Sequence, residues 1–439
     1  MMLAHENAAA QDSREKALLV GVASEKTRKQ EALDLLDELA ALADTLGVEV
    51  VDRLLVNLRE RSPAMLVGSG KADEIAAAAK ALSVDSIIFD HILTPVQQRN
   101  WESYTGKKVY DRSELIIRIF AARALTREAS LQVELAQLQY ALPRLVHSYD
   151  DLMRQRGGRY GTKGSGEQKL ELDRREIERR IHEIRLELEE VRKARAVRKK
   201  RRERIPIPRA AIVGYTNAGK SSLLNALTRA EVLAEDKLFA TLDPTTRRLQ
   251  LAQGQVLLLT DTVGFIRNLP HGLIEAFRAT LEEASEADLL IHVADASDRN
   301  VEVHMATTVQ VLQEIGAGDI PRILVLNKID IAQPQVVEEF LQKHQGALAV
   351  SVRTGEGMET LRSALQTALT ASMPLVKLRI PHADYAITSL VLREGTLVEE
   401  HHDDEATWIV CRVPERLLPK LQPYLTQTGW HSEREGASS

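Results

Sequence analysis

The chain is poor in cysteine and in aromatic side chains. Cys411 is the only cysteine among 439 residues, so no intramolecular disulfide and no cysteine-based zinc site can form. It reads as a small buried hydrophobe. Aromatic residues make up 4%, which with 28% charged residues fits a helix-rich protein with long polar surfaces. No apolar run approaches the ~20 residues needed to cross a bilayer. The opening "MMLAHENAAAQDSREKALLV" has no basic stretch followed by an apolar run, so no signal peptide is expected. These absences point to the cytosol, with at most a peripheral association with membranes. The net charge of -5 excludes a polycation, so any nucleic-acid contact must come from a local basic patch.

What is present falls into four stretches, which give an α/β multidomain chain. Residues 1–125 alternate short apolar runs ("ALLVGVA", "VEVVDRLLV", "AMLVGSG", "SIIFDHIL") with helical patterns such as "QEALDLLDELAALADTLG". That rhythm predicts an N-terminal α/β domain with a parallel core. Residues 126–205 change character. Leu131, Leu135, Leu138, Leu142 and Leu145 recur at four-three spacing, as do Ile177, Ile181, Ile184, Leu188 and Val191. This is a coiled-coil pattern, and it predicts an antiparallel helical hairpin. Its link is "GGRYGTKGSG", Gly157 to Gly166, with five glycines in ten residues, a backbone free to take positive φ at an entropic cost. The far arm ends in "RKARAVRKKRRER", Arg192 to Arg204, with nine basic residues and one acid. Pro206 and Pro208 mark a boundary. Residues 206–372 alternate strands and helices as a doubly wound parallel sheet does. Residues 373–439 read as a small mixed α/β module, with "VKLRI", "YAITSLV" and "TWIVCRV" as alternating runs and "EEHHDDE" (Glu399–Glu405) as a solvated loop between them.

The chemistry lies in the third stretch. Gly214, Tyr215, Thr216, Asn217, Ala218, Gly219, Lys220 and Ser221 match G-x-x-x-x-G-K-[ST] between the strand "AAIVG" and a helix, the context this phosphate loop requires. Its backbone N–H groups and the helix N-terminus suit a phosphate, Lys220 reaches the β- and γ-phosphates, and Ser221 ligates Mg²⁺. Asp261, Thr262, Val263 and Gly264 supply Asp-x-x-Gly, with Asp261 and Gly264 lying 40 and 43 residues after Ser221. "NKID", Asn327, Lys328, Ile329 and Asp330, follows the strand "RILVL". The Asp330 carboxylate can accept from two adjacent guanine N–H groups, an edge that adenine lacks. Ser351, Val352 and Arg353 open "SVRTG", where a backbone N–H would meet the guanine oxygen. Thr241, Thr245 or Thr246, in "FATLDPTT", could complete the Mg²⁺ shell. Together these motifs predict a GTP site.

The residue after Gly264 is Phe265, which cannot orient a water molecule, so slow hydrolysis by the isolated chain is expected. A group supplied in trans could provide what is missing. In some GTPases that this chain resembles, an asparagine at the position of Asn217 can hold K⁺ beside the phosphates, and that cation would stabilise transition-state charge.

"GYTNAGKS", "LFATLDPT", "DTVGFIRNLP" and "NKID", behind a glycine-tipped hairpin with "LELDRR", resemble the HflX family of translation-factor-related GTPases. "FDHILTPVQQRN" and "VYDRSELIIRIFAARA" extend the likeness toward the N-terminus. The resemblance makes Thr241 the switch-one Mg²⁺ ligand, with Phe239, Ala240, Leu242 and Asp243 beside it at the nucleotide. Lys220, Thr241, Gly264 and Asn217 are then the expected catalytic set. It implies binding to the large ribosomal subunit, with the hairpin tip directed at rRNA near the peptidyl-transferase region, and separation of stalled ribosomes into subunits. It also implies a partner in ATP at the N-terminal domain, reported for some members. In that domain, "GSGK" (Gly68 to Lys71) lacks the full phosphate-loop spacing and reads as an ordinary turn. The chain departs from the family at its tip, Gly164-Ser165-Gly166-Glu167-Gln168, where a proline is usual, and at Val352. An assembly or RNA-modification GTPase would usually carry a dedicated RNA-binding module or a catalytic cysteine, and neither is evident. A protein-binding switch has no need of a hairpin with a basic root. No motif forces a dimer, so a monomer is expected.

Overall fold

The computed structural model describes residues 14–24, 29–58, 60–155, 163–202, 207–228, 237–252, 255–268, 283–414 and 417–426. The chain forms two compact units. The first comprises Met1–Arg192 with the segments Glu235–Asp243 and Ile266–Thr280, and the second holds the remainder.

The first unit contains a parallel sheet of order β2-β1-β3-β4, formed by β1 (Lys16–Ser24), β2 (Glu49–Leu58), β3 (Ser86–Phe89) and β4 (Lys108–Asp111). Helix α1 (Lys29–Thr45) buries Leu35, Leu36, Leu39 and Leu42 on one face, while Leu33 is exposed. The chain leaves this helix through Gly47, at φ +77. Helix α2 (Ser69–Ala81) starts at Gly68, and Lys71 pairs with Glu74 within it. Helix α3 (Pro95–Thr105) opens with a capping box between Thr94 and Gln97 and closes on left-handed Gly106. Its Trp101 is fully buried against Phe89, ring centroids 5.1 Å apart.

"AMLVGSG" is not a strand. Leu66 takes φ +67, which breaks an extended run. Side chains claim the carbonyls a ladder would use: Trp101 Nε1 donates to Met65 O at 2.9 Å and Asn100 Nδ2 to Ala64 O at 2.8 Å.

Helix α4 (Arg112–Arg123) leads to the two arms α5 (Arg127–Gln155) and α6 (Lys163–Arg202). The heptad positions meet as expected: Leu131, Leu135, Ile181 and Ile184 form a buried seam, with Leu138, Leu142, Ile177 and Leu188 packed on it. Arg180 grips Glu134 with two bonds of 2.7 and 2.8 Å, and Arg127 reaches Glu187 at 2.7 Å. The lower number of one arm faces the higher number of the other, so the arms are antiparallel. Gly164 and Gly166, read as part of the link, lie in the first turn of α6. Residues 157–162 of that link fall outside the described residues. The basic run stays helical as far as Arg202.

The second unit is built on a six-stranded sheet of order β10-β9-β8-β5-β7-β6. Its strands are β5 (Arg209–Gly214), β6 (Thr245–Gln250), β7 (Val256–Asp261), β8 (Leu289–Asp295), β9 (Arg322–Asn327) and β10 (Leu348–Ala349). All pairings are parallel except β6 with β7. The near-continuous apolar runs of β5 and β8 are buried throughout, as strands covered on both faces must be. The helices are α7 (Lys220–Thr228), α8 (Val301–Glu314), α9 (Pro334–Lys343) and α10 (Met358–Ser372). The module that follows has an antiparallel sheet of β11 (Leu375–Pro381), β12 (Thr396–His402) and β13 (Ala406–Arg412), in order β11-β13-β12, with α11 (Tyr385–Glu394) against it.

Two expectations fail in this module. "YAITSLV" is helical in α11, burying Thr388 and Val391 three residues apart, a helical spacing that the short apolar run did not distinguish from alternation. Glu399–His402 belong to the exposed edge strand β12 rather than to a loop. Charged residues are a usual way to blunt such an edge. Cys411 is buried in this module's core, and burial pushes its thiol up to about 12.

One buried ion cluster stands out in the first unit. Arg112 is 1% exposed and donates to Glu38 at 2.7 Å and to Asp90 at 2.9 Å. Burial lifts Asp90 from 3.8 to about 6, although Arg112 beside it pulls the other way. Arg112→Met removes the cation and leaves two buried carboxylates, which should cost about 3–5 kcal/mol at neutral pH. A raised folded-state pKa means that the folded chain holds the proton more tightly. The deficit should therefore shrink as pH falls through 6 and Asp90 is neutralised. Urea unfolding of both proteins at pH 7 and pH 5 checks this, and an equal deficit at both would remove Asp90 from the cluster's energetics.

Candidate functional site

The candidate site of the second unit is assembled at the C-terminal ends of β5, β7, β8 and β9, where ligands of doubly wound sheets bind. The chain leaves β5 at Gly214, at φ +151, and turns through Asn217 at φ +61 and Gly219 at φ +92. Asparagine tolerates the left-handed region better than most residues. At Asn217 the side chain is exposed. Ala218 is buried, and its carbonyl accepts from Asn327 Nδ2 at 3.0 Å. A Cβ on Gly219 would run into that same Asn327 amide, so the phosphate loop and the start of "NKID" require each other's shape.

Lys220 is buried, and its Nζ donates to Tyr215 O at 2.7 Å. Burial lowers the ammonium to about 8, with Asp261 acting in the opposite direction. Ser221 Oγ donates to Asp261 Oδ2 at 2.6 Å. A hydroxyl and a carboxylate juxtaposed at the end of a phosphate loop form a hard oxygen set suited to Mg²⁺. Thr262 spends its hydroxyl on Ile212 O at 2.7 Å and is fully buried. Val263 is buried as well. A Cβ on Gly264 would lie 2.8 Å from Lys220 Nζ and 2.8 Å from Thr216 Cα, so only glycine fits beside the lysine.

Phe265 is 2% exposed. Its backbone bridges the phosphate loop: Phe265 N donates to Gly214 O at 3.1 Å, and Thr216 N donates to Phe265 O at 2.8 Å. The ring is core, and it offers no hydrogen bond to a water molecule.

The residues expected to read the base converge from two strands. Asn327 ends β9, and its Oδ1 accepts from Val352 N at 3.3 Å. Lys328, at φ +64, pairs with Asp295 Oδ2 at 2.7 Å. Ile329 N donates to Val350 O at 3.4 Å. Asp330 accepts from Ser351 Oγ at 2.7 Å and pairs with Arg353. The Ser351 hydroxyl is the main cause that holds the Asp330 carboxyl below its ordinary range, with Arg353 adding to it. The side chain is thus an anionic acceptor, as a guanine edge with two N–H donors requires. The motif "SVRTG" by itself gives the Ser351 side chain no role. The Asp330–Ser351 bond becomes visible only when β9 and β10 pair.

The switch-one candidates separate. Thr245 and Thr246 lie in β6, and the Thr246 hydroxyl shares a 2.9 Å hydrogen bond with Thr260. Phe239, Ala240, Thr241, Leu242 and Asp243 belong to the first unit. There the Phe239 ring meets Phe120 edge-on at 4.6 Å. Asp243 Oδ2 accepts from Leu125 N and Thr126 N, both at 3.1 Å, and Oδ1 from the Thr126 hydroxyl at 2.5 Å. Thr126 in turn accepts from Ala129 N at 3.2 Å, so Asp243 braces the N-terminus of α5. In the same unit Arg267 offers its carbonyl to Arg112 at 3.0 Å and its guanidinium to Glu38 at 3.6 Å. These contacts of Asp243 and Arg267 carry no sequence motif. A lone acid and a lone arginine give no signal until the chain folds.

Asp330→Asn replaces an anionic acceptor by an amide whose N–H₂ would face a guanine N–H. Losing two charge-assisted hydrogen bonds should weaken GDP binding about 100-fold or more. Titration calorimetry reads this directly, and a change below about threefold would remove Asp330 from base recognition.

Comparison with known proteins agrees with this geometry. Residues 34–121 match the family described as GTP-binding GTPase N-terminal, residues 123–202 the GTP-binding GTPase Middle Region, and residues 209–328 the family described as 50S ribosome-binding GTPase. GTPase HflX of Magnetococcus marinus is 43% identical over 415 residues, covering 94% of this chain and 96% of that one. GTPase HflX of Akkermansia muciniphila is 44% identical over 423 residues (94% and 97%), and that of Escherichia coli K12 is 41% identical over 421 residues (94% and 98%). Among solved structures, a GTP-binding protein from Sulfolobus solfataricus in complex with GDP aligns at TM-score 0.44 and 24% identity, over 81% of this chain and 99% of that one. Loops that accommodate one another at the phosphate-loop motif and relatives matching at this length lead to one conclusion: the chain belongs to the HflX family of GTPases.

Proposed function

We propose that this GTPase binds the large ribosomal subunit in its GTP state, separates stalled or idle ribosomes into subunits, and hydrolyses GTP fast only when the ribosome is present. The observation that carries the last part is Phe265. The position after Asp-x-x-Gly holds a buried ring tied by its backbone to the phosphate loop, so the water-orienting group has to come from elsewhere. The 50S ribosome-binding description of the family matched over 209–328 supports the partner. So does the hairpin, whose far arm α6 runs 40 residues, about 60 Å of helix, and ends in the basic run. Over residues 151–204 the chain carries 19 Lys/Arg and 11 Asp/Glu, a balance of +8. Such an arm suits shape and phosphate recognition of structured rRNA, and its affinity would fall steeply with salt.

In this reading the four stretches 1–125, 126–205, 206–372 and 373–439 act as N-terminal domain, reaching arm, GTPase domain and appended module, in a cytoplasmic monomer. Gly214–Ser221 cradle the phosphates. Lys220 exchanges Tyr215 O for phosphate oxygens. Ser221 and Thr241 ligate Mg²⁺, with Asp261 behind Ser221. Gly264 offers its N–H to the γ-phosphate. Asn327–Asp330 and Ser351–Arg353 read guanine. Mg²⁺ supplies charge neutralisation between the phosphates, and K⁺ at Asn217 would add to it. The exposed, left-handed Asn217 supports that role, since its amide is not spent inside the loop.

Purified protein should turn GTP over slowly alone and at least about 10-fold faster with large subunits, faster in K⁺ than in Na⁺ buffer. Light scattering of intact ribosomes should drop when the GTP-bound protein is added. Fast turnover without subunits would overturn the trans-activation reading. Stimulated turnover with ribosomes left whole would restrict the function to binding. Equal rates in the two salts would exclude K⁺ at Asn217.

A further inference from the structure

A group of side chains behind the phosphate loop belongs to none of the motifs above. His304, on α8, lies flat on the ring of Tyr215, with centroids 3.7 Å apart and planes 5° from parallel. Its Nδ1 is held by Asp298 Oδ2 at 2.5 Å. Asp298 is itself fixed in the β8–α8 loop, where its Oδ1 accepts from Asn300 N at 2.8 Å. Asp295, the partner of Lys328, is the last residue of β8 just before this loop, and Ala296 N of the loop donates to Asn327 O at 2.8 Å. One loop therefore touches the guanine-reading motif at one end and the phosphate loop at the other.

Beneath the stacked rings is a cavity of about 30 Å³, lined by Thr216, His292, Asp298, His304 and Thr308 among others. Three buried polar atoms of its lining have no hydrogen-bond partner among the described residues: Thr216 Oγ1, His292 Nε2 and His304 Nε2. His292 is 2% exposed, and burial brings its imidazole down to about 4, so it is a neutral ring that can donate or accept. A cavity of this size has room for about two water molecules, and three polar partners are what buried water ordinarily finds. Water, which both donates and accepts, fits a hydroxyl and two ring nitrogens.

The geometry points to His304 as a positioning residue of the phosphate site: held by Asp298, it pins the Tyr215 ring, and bound water joins its Nε2 to Thr216 and His292. Tyr215 is the lever, because its carbonyl is the resting partner of Lys220 Nζ at 2.7 Å. A displaced Tyr215 carries away both that carbonyl and the neighbouring Thr216. The inference rests on the nucleotide-site reading and deepens it, since the pinned segment is the one that would meet the phosphates.

The test compares wild type, His304→Ala, His304→Phe, Thr216→Val and the double variant His304→Phe/Thr216→Val. For each, GDP affinity, KM and kcat for GTP, and melting temperature are measured. His304→Ala should weaken GDP binding about three- to ten-fold, the worth of one aromatic stack. KM should rise by a similar factor with kcat little changed, because the loop holds ground state and transition state alike. His304→Phe keeps the stack and should recover most of the affinity. If water links Nε2 to the Thr216 hydroxyl, the double variant should lose less than the two single losses combined. A melting temperature lowered by His304→Ala with GDP affinity and KM unchanged would make the residue structural and overturn the inference. Strictly additive losses would overturn the water link. Wild type that binds no GDP would instead sink the nucleotide-site reading itself, a distinguishable failure.

Discussion

Two backbone hydrogen bonds, Phe265 N to Gly214 O and Thr216 N to Phe265 O, tie the phosphate loop to the residues that follow β7. Much of the site depends on this bridge. It places Gly264 so close to Lys220 and Thr216 that no side chain fits there. It also requires the residue after Gly264 to enter the interior, where a phenylalanine ring is favoured and a glutamine would need buried partners. The absence of a water-orienting side chain at this position is therefore a consequence of how the loop is secured.

The chain passes between its two compact units at Phe265–Ile266 and again at Asp243–Pro244. Thr241 and Gly264, the positions expected to sense the γ-phosphate, lie within two residues of these crossings. Just beyond them, Asp243 braces the first turn of α5 and Arg267 joins the buried cluster of Arg112 and Glu38. A rearrangement of either segment would have to remake hydrogen bonds or a buried ion pair in the first unit. Such contacts have discrete rather than graded alternatives.

Legibility from sequence followed the range of the interactions. The phosphate loop, Asp261–Gly264 and Asn327–Asp330 could be read because each is a short run whose backbone shape and side-chain chemistry are local. The hairpin seam of Leu131, Leu135, Ile181 and Ile184 was equally plain, because heptad spacing encodes which face is buried. Short apolar runs were not reliable. "AMLVGSG" became a turn when Trp101 and Asn100 took its carbonyls, and "YAITSLV" became a helix in the C-terminal module. Periodicity over seven residues does not separate the two outcomes.

By itself the sequence determined the elements that bind: a glycine-permitted loop, an acid for the guanine edge, a basic helical arm, and a hydrophobe where a water-orienting group might have stood. The tertiary structure alone decided the support of those elements. Ser351 donates to Asp330, Asn327 closes on Ala218 O, Asp295 holds Lys328, and His304 lies on Tyr215. Each joins residues well separated in the chain, brought together by parallel strand pairing. A pairing over that distance leaves no spacing for sequence to record, because the intervening chain can be any length that lets the strands meet.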